Sequence, residues 1–296
     1  MTLWDQINEP VTYAIPFFLL AVVVEALSLR HDTHDRRGFD KTDTRTSLTM
    51  GVVSLLFNGG GRALALIGYA VLYVASPFRL DPHNWLVWAG VMVGVDLIWY
   101  VYHRMSHRIR LMWAAHQVHH NSRYFNYSTA LRQKWNPWFE LLLWTPLPVL
   151  GVPPWMIFTA FSVNLIYQFW VHTETIGKLP RWFEFVFNTP SHHRVHHASD
   201  PEYLDKNFGG IFIIWDRLFG SFRAETFRPT YGLTKNIDSD NVLTLQYYEF
   251  GALWRDLRAA KGPRDRFGYL FGPPGWQPAL SPAVTTEEAG EGAGSR

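Results

Sequence analysis

The longest uncharged run in the sequence, residues 141–171, sets the first limit on the fold. It is 31 residues long and contains no Asp, Glu, Lys or Arg. A single helix of that length would rise about 46 Å, well beyond the roughly 30 Å hydrocarbon core of a bilayer. Four prolines and Gly151 lie inside the run, and such residues break helices. The run therefore predicts a Pro-broken helical hairpin that enters a membrane and returns to the same side.

Two further apolar blocks are typical of single membrane helices. Residues 13–29 carry one charge, Glu25, and residues 85–102 carry one charge, Asp96. A secretory signal would begin with a basic segment, but residues 1–12 contain no Lys or Arg. We therefore expect the first block to be a retained membrane helix.

The block at residues 48–75 is less regular. Three glycines at positions 59–61 and Arg62 interrupt it. The clean part, residues 63–75, is shorter than the roughly 20 residues that a full span needs. We expect the upstream half to lie partly in the membrane interface. The four blocks together predict an all-α integral membrane helical bundle, with about three spans plus the hairpin.

The orientation follows from the distribution of Lys and Arg. These residues are concentrated in segments 30–45 and 103–134, whereas residues 1–12 have none and the 76–84 connection has only Arg79. Basic loops stay in the cytoplasm. We expect the N-terminus outside and the histidine clusters inside. A bacterial inner membrane is favoured, or the endoplasmic reticulum if the source is eukaryotic.

Composition limits the remaining choices. The chain has no cysteine, which excludes disulfides, thiolate catalysis and iron–sulfur clusters. A net charge of +2 gives no broad basic surface for nucleic acid. We expect one membrane-embedded domain over residues 1–278, with a motif core at about 45–225 and a cap after about residue 178. The small, polar residues 279–296 predict a disordered tail.

The histidines are clustered and patterned. Ten of the 13 fall between residues 103 and 197. They form H-x3-H, then H-x2-H-H, then a lone histidine, then H-x2-H-H preceded by one more. The ten are His103, His107, His116, His119, His120, His172, His192, His193, His196 and His197.

Spacings of three and four residues place side chains on one helix face. Neutral imidazole is a ligand for iron, zinc, copper and nickel, and eight to ten converging histidines indicate two ions. We therefore expect the membrane bundle to carry a histidine-rich cytoplasmic cap that binds two metal ions. His192 is either a ligand or a partner of one. The isolated His31, His34 and His83 are expected at the surface. Metal-bound histidines donate their second N–H to nearby polar groups. The candidates for that role are Asp96, Asn126, Glu174, Asn207 and Asp216, with Asp200 and Asp205.

This histidine order resembles the membrane fatty acid hydroxylase / sterol desaturase superfamily. Three stretches carry the resemblance most specifically: residues 114–133, 167–180 and 188–225. The last is most similar to the alkylglycerol monooxygenase-like branch. The resemblance implies that nine of these histidines hold two iron ions, with His192 adjacent to them. It also implies an O2-dependent oxidoreductase that hydroxylates or desaturates a C–H bond of a lipid, with an ether lipid among the substrates.

Such an enzyme needs lipid from the bilayer, O2 and electrons from a separate donor, for example a pterin, cytochrome b5 or a ferredoxin. Two other classes of protein use membrane histidines. A metal carrier or sensor would place them within a membrane pathway, whereas here they follow the apolar blocks. A b-type cytochrome needs isolated histidines on facing helices and not adjacent pairs. The carrier or sensor is the main alternative.

Overall fold

The computed structural model describes residues 10–30 and 38–278. Within these ranges the chain is helical, without a β-strand, and two isolated β-bridges join Phe187 to Phe212 and Ala198 to Tyr231. The predicted tail at residues 279–296 lies outside the described residues, as do His31 and His34. The helices are α1 (Pro10–Leu29), α2 (Lys41–Ala75), α3 (Trp85–Arg108), α4 (Arg110–His120), α5 (Tyr127–Ala130), α6 (Trp138–Leu143), α7 (Pro146–Val149), α8 (Pro154–Trp170), α9 (Arg181–Val186), α10 (Pro190–His196), α11 (Ile214–Leu218), α12 (Val242–Ala259) and α13 (Pro263–Phe271).

Three of these helices, α1, α2 and α3, are long and apolar enough to cross a membrane. They contain 20, 35 and 24 residues. The predicted all-α membrane bundle is therefore confirmed. The orientation of the bundle stays a prediction.

The glycines and Arg62 that interrupt the second apolar block do not interrupt its helix, since α2 runs continuously from Lys41 to Ala75. In a membrane each backbone N–H and C=O must be bonded within the chain, and a continuous helix achieves this despite glycine. Gly61 also has a packing role: a Cβ there would lie 2.7 Å from Cγ of Pro137. Gly61 therefore marks a close approach of α2 to Pro137 and not a helix end.

The third block continues as α3 beyond the predicted residue 102. Asn84 begins the helix as its N-cap and accepts a hydrogen bond from the N–H of Leu86 at 2.9 Å. The helix ends at Arg108. Its last two turns therefore carry His103 and His107 on one face.

The Pro-rich run forms the predicted hairpin from α6, α7 and α8. Gly151 adopts φ +85 at the turn, a left-handed conformation that favours glycine. The N–H of Leu80 donates to the carbonyl of Gly151 at 3.0 Å, and Ser76 Oγ donates to the carbonyl of Val149 at 2.7 Å. The tip therefore contacts the connection between α2 and α3, and α8 returns to place His172 at the other end.

The main hydrophobic core lies between α2, α3 and the hairpin. Val95 of α3 and Met156 of α8 are fully buried in it. Tyr69 of α2 stacks on Phe158 of α8, with ring centroids 5.6 Å apart. This packing fixes α3, which carries histidines in its last turns, and α8, which is followed by His172.

Asp96 joins the cap to α3. Its buried carboxylate accepts hydrogen bonds from the N–H groups of Ile211 at 2.6 Å and Phe212 at 3.1 Å. It also accepts from Trp215 Nε1 at 2.8 Å and Asn164 Nδ2 at 2.6 Å. Asp96 was predicted as a partner of a metal-bound histidine, but none of these four partners is a histidine. It holds the cap segment on the spanning helix instead.

Candidate metal centre

Four elements bring the histidines together at one end of the bundle. The last turns of α3 carry His103 and His107, and α4 carries the first H-x2-H-H motif. His172 follows α8, and the second H-x2-H-H motif lies on α10 and its C-cap. Nine of the ten predicted ligands fall into two groups, in each of which the possible ligand atoms lie within 4.8 Å of one another. The first group is His103, His107, His116, His120 and His196, and the second is His119, His172, His193 and His197.

Each H-x2-H-H motif contributes to both groups. His116 and His120, four residues apart, belong to the first group, while His119 between them belongs to the second. The second motif is divided in the opposite sense: His193 and His197 belong to the second group and His196 to the first. A spacing of four keeps two side chains on one face of a helix, whereas the adjacent residue is rotated by about 100°. The motif therefore bridges two neighbouring sites, which its spacing alone did not reveal.

Backbone carbonyl groups orient four of the rings. Nδ1 of His103 donates to the carbonyl of Phe208 at 2.9 Å. Nδ1 also donates to a backbone carbonyl in three other rings. His119 donates to Arg132 at 3.2 Å, His172 to Gln168 at 2.8 Å and His196 to Lys206 at 3.0 Å. Because Nδ1 carries the proton in each ring, Nε2 keeps its lone pair.

In the second group, this tautomer makes the Nε2 atoms of two histidines face each other without a proton between them. Nε2 of His119 lies 3.2 Å from Nε2 of His172, and both rings donate from Nδ1. Two lone pairs therefore face each other, which is repulsive unless a cation lies between them. A metal ion about 2.1 Å from each nitrogen places two adjacent ligands about 3 Å apart. The donor set thus fits a metal ion.

Unpartnered buried nitrogens support the same conclusion. Nε2 of His107 and His196 in the first group and Nε2 of His197 in the second have no hydrogen-bond partner among the described residues. A buried polar atom without a partner costs about 1–3 kcal/mol. A metal ligated by these atoms would remove that cost in both groups.

The histidines are held in the neutral form that ligates metals. For each of those outside the spanning helices, burial lowers the pKa, and neighbouring imidazoles lower it further for most of them. The pKa of His172 falls to about 4 through burial. The pKa values well below the usual range are those of His116, His119, His120, His193, His196 and His197.

Among the described residues, the carboxylate of Asp205 lies close to one of the nine grouped histidines. Oδ1 of Asp205 lies 3.6 Å from Nδ1 of His107, and its other oxygen lies 3.4 Å from Nε of Arg108. Asp205 was among the predicted partners. It adopts φ +58, a left-handed conformation that is uncommon for residues other than glycine.

Asn207 and Asp216 support the site through the backbone. Asp216 accepts hydrogen bonds from the N–H groups of Phe208 and Gly209, both at 2.8 Å. Asn207 Nδ2 donates to the carbonyl of His192 at 3.0 Å. These two residues shape the segment whose carbonyl at Phe208 orients His103.

Three other predicted partners bind elsewhere. Asn126 caps α5, and its Nδ2 donates to the carbonyl of Gly38 at 2.8 Å. Glu174 pairs with Arg228 at 2.9 Å. The carboxylate of Asp200 accepts from the N–H of Thr230 at 2.7 Å. In the described structure these contacts hold loops and not histidine rings.

His192 lies outside both groups. Its buried ring packs against Phe222, with centroids 5.4 Å apart. Its carbonyl accepts the hydrogen bond from Asn207. His83 is exposed in the connection between α2 and α3, as expected.

Aromatic side chains cover the rings of the centre. Phe208 lies 5.2 Å from His107 and Phe125 lies 5.0 Å from His197, measured between ring centroids. Trp113 lies 5.2 Å from His107. Because these side chains are apolar where they meet the imidazoles, they separate the centre from bulk water.

A cavity of about 390 Å³ opens from the centre between α1, α2 and α8. Histidines of both groups line its inner end: His103, His116, His119, His172 and His193. Most of the remaining wall is apolar and lies on helices long enough to cross a membrane. Lys134 and Arg62 also line it; Lys134 Nζ donates to Glu140 at 2.6 Å, and the Arg62 guanidinium lies 5.3 Å from the centroid of the Phe161 ring. The arrangement can present a chain of carbon atoms to metals held by the histidines.

Fold and site together define a class: a helical membrane protein with a paired histidine centre beside an apolar cavity. Residues 88–221, which contain all ten clustered histidines, match the fatty acid hydroxylase family. The alkylglycerol monooxygenases of Homo sapiens and Danio rerio are each 35% identical to the chain, over 97% and 96% of its length. These matches confirm the resemblance to the fatty acid hydroxylase family that the sequence indicated, over residues 88–221 for the family and over nearly the whole chain for the two relatives.

The relatives extend beyond the matched region. The chain covers 64% of the human and 65% of the zebrafish protein, so it spans just under two thirds of their length. Ornithine lipid hydroxylase OlsE of Rhizobium tropici is 29% identical over 57% of the chain and 55% of its own length. No solved structure matches the chain.

Proposed function

We propose that this chain is an O2-dependent membrane hydroxylase that uses two iron ions to oxidise a C–H bond of a lipid. The observation that carries the proposal is the continuity of the two histidine groups with one largely apolar cavity. A metal carrier needs a polar path for ions, whereas this cavity suits an alkyl chain. The names of the relatives, two of them alkylglycerol monooxygenases and one a lipid hydroxylase, favour the same activity.

The nine grouped histidines are the ligands we propose, five for one ion and four for the other. Neutral imidazoles suit iron as well as zinc and copper. His192 would then help to hold the Asn207 segment rather than bind metal. When bound, the iron pair would supply the reduction of O2 that inserts one oxygen atom into the C–H bond, while the other leaves as water with two electrons and two protons from an external donor.

The residues of the chain orient the histidine rings, position the lipid and exclude water from the centre. The carbonyls that bind Nδ1 of His103, His119, His172 and His196 fix the direction of each ring. Phe125 and Phe208 shield the ring edges, and a dry site protects a reactive oxidant from quenching. The cavity wall holds the chain so that one carbon faces the histidines. Hydroxylation and desaturation differ in where that carbon lies.

The substrate we favour is an ether lipid, because two relatives that match nearly the whole chain are alkylglycerol monooxygenases. The reductant is a separate donor, such as a pterin, cytochrome b5 or a ferredoxin. We place the N-terminus outside and the histidine centre in the cytoplasm, with residues 1–278 as one domain. The source membrane would be a bacterial inner membrane, or the endoplasmic reticulum in a eukaryote.

The test compares three proteins after reconstitution with ferrous iron: the wild type, His119→Ala and His83→Ala. We expect about two irons per chain and no haem in the wild type and in His83→Ala, because His83 is exposed and remote from both groups. His119→Ala should lose iron, because it removes one of four grouped ligands. Mass spectrometry of an alkylglycerol treated with labelled O2 and a reductant should then find one labelled oxygen per product.

Two results would contradict the proposal. A haem spectrum, or no bound metal after ferrous reconstitution, would remove the di-iron centre. Bound iron without oxygen transfer to any alkyl lipid tested would favour the metal carrier or sensor instead.

A further inference from the structure

We propose that the alkyl chain of the substrate enters the centre sideways from the bilayer, between α1 and α2, and that Gly59 sets the length of chain that the cavity admits. The inference rests on the proposed lipid hydroxylase function. It adds the route of the substrate and a residue that determines specificity.

The outer part of the cavity wall is also the outer surface of the bundle. Leu19 of α1 lines the cavity and is 46% exposed. Val52 and Leu55 of α2 line it from the other side and are 66% and 56% exposed. Apolar side chains that belong both to a cavity and to a membrane-facing surface mark an opening toward lipid. An alkyl chain can pass there without meeting water.

The opening exists because α1 and α2 share a supporting helix. Both pack against α8, and the cavity fills the space left between them. At the inner end α2 comes close to the segment that holds the centre: a Cβ on Gly51 would lie 2.7 Å from the carbonyl oxygen of Leu131. The next residue, Arg132, provides the carbonyl that orients His119. At this end α2 is therefore in direct contact with the segment that orients a histidine of the centre.

Gly59 lies on the wall of this route, eight residues beyond Gly51. Eight residues of helix rise about 12 Å, so Gly59 is well away from the histidine end. A Cβ added to Gly59 meets nothing within 4 Å. The position is therefore open space that a larger side chain would fill, and only the distant part of a long chain would meet it.

The neighbouring glycine provides a matched control. A Cβ on Gly60 also meets nothing within 4 Å, but Gly60 does not line the cavity. Gly61 is unsuitable because its Cβ position is occupied by Pro137. Replacing either Gly59 or Gly60 by Phe adds the same volume at a position where a Cβ meets no neighbour. Neither replacement should destabilise α2, because Phe has a higher helix propensity than glycine.

The first experiment measures kcat/KM for octylglycerol ether and hexadecylglycerol ether. For Gly59→Phe we expect the ratio of long-chain to short-chain kcat/KM to fall about tenfold or more, because steric exclusion from an apolar pocket is of that size. For Gly60→Phe the ratio should stay within about twofold of the wild type. An equal change in both variants, or none in Gly59→Phe, would overturn the role of Gly59.

The second experiment does not depend on turnover. A hexadecylglycerol ether with a diazirine near the chain end is photolysed with the wild-type protein in lipid nanodiscs, and the modified residues are mapped. We expect competable labelling of Leu55 and Leu19, which line the cavity, above that of Leu56, which is 78% exposed but does not. Equal labelling of Leu55 and Leu56 would exclude this entrance even if the enzyme is active. Selective labelling of a protein that oxidises no lipid would instead retain the cavity and reject the hydroxylase function.

Discussion

At the scale of single residues, the centre depends on backbone carbonyls more than on acids. Four of the nine grouped histidines donate Nδ1 to a carbonyl, whereas one approaches a carboxylate. Sequence spacing predicted the histidines, because i, i+3 and i+4 patterns determine a shared face. It could not predict the anchors, because every residue carries a carbonyl and none is distinguished by its side chain. Asp96 and Glu174 were plausible partners by type but have other partners in the fold.

Asp205 is the exception and gives a prediction at this scale. Asp205→Asn removes the charge beside His107 and keeps a residue that tolerates positive φ. We expect iron affinity to fall about tenfold, the usual effect of removing a polar partner of a metal ligand, with little change in thermal stability. Chelator competition measures the affinity. Asp200→Asn is the control, because Asp200 binds Thr230 and no histidine; an equal loss in both variants would argue against a specific role for Asp205.

At the scale of elements, glycine and proline have different meanings inside a membrane bundle. The prolines between residues 146 and 154 divide the hairpin as predicted. The glycines at 59–61 do not divide α2, because no water is available there to replace the helical hydrogen bonds. Their role follows from the neighbour of each one, Pro137 for Gly61 and the cavity for Gly59. That information is tertiary and could not be predicted from the run itself.

The tip of the hairpin gives a second prediction. Gly151→Ala places a Cβ 2.6 Å from the carbonyl carbon of Phe78 on a backbone with φ +85. We expect a loss of about 2 kcal/mol or more in the free energy of unfolding, since both the clash and the conformation are unfavourable. Reversible unfolding in mixed micelles measures it. Gly90→Ala in α3, where a Cβ meets nothing, should be neutral or stabilising by up to about 1 kcal/mol. Similar stability for the two variants would show that the tip rearranges easily.

At the scale of the whole molecule, the bundle separates two ends. The connection between α2 and α3 lies at one end with the hairpin tip, and the histidine centre lies at the other. The 24 residues of α3 between them rise about 36 Å, which is enough to cross a bilayer. The order of apolar blocks was sufficient to predict this separation. The packing of α12, which lies after residue 178, against α4 was not predictable, because the sequence of α12 does not identify its neighbour.

The absence of cysteine makes the orientation directly testable. We expect His83→Cys to react with a membrane-impermeant maleimide in intact spheroplasts, and Arg123→Cys to react only after permeabilisation. Both side chains replaced are exposed, so access depends on the side of the membrane and not on burial. The opposite labelling pattern would place the histidine centre outside the cytoplasm.

The carbonyl anchors also affect how this centre can change over time. A substitution at Phe208, Arg132, Gln168 or Lys206 replaces a side chain and leaves the main-chain acceptor in its position. The side chain at each of these positions can therefore be substituted without loss of the hydrogen bond that its main-chain carbonyl accepts from the histidine. Insertion or deletion of one residue between Lys206 and Phe208 is different, because it moves two acceptors away from His196 and His103 at once. A point change at Lys206, which is not buried, should therefore be tolerated, while changes in loop length should be eliminated.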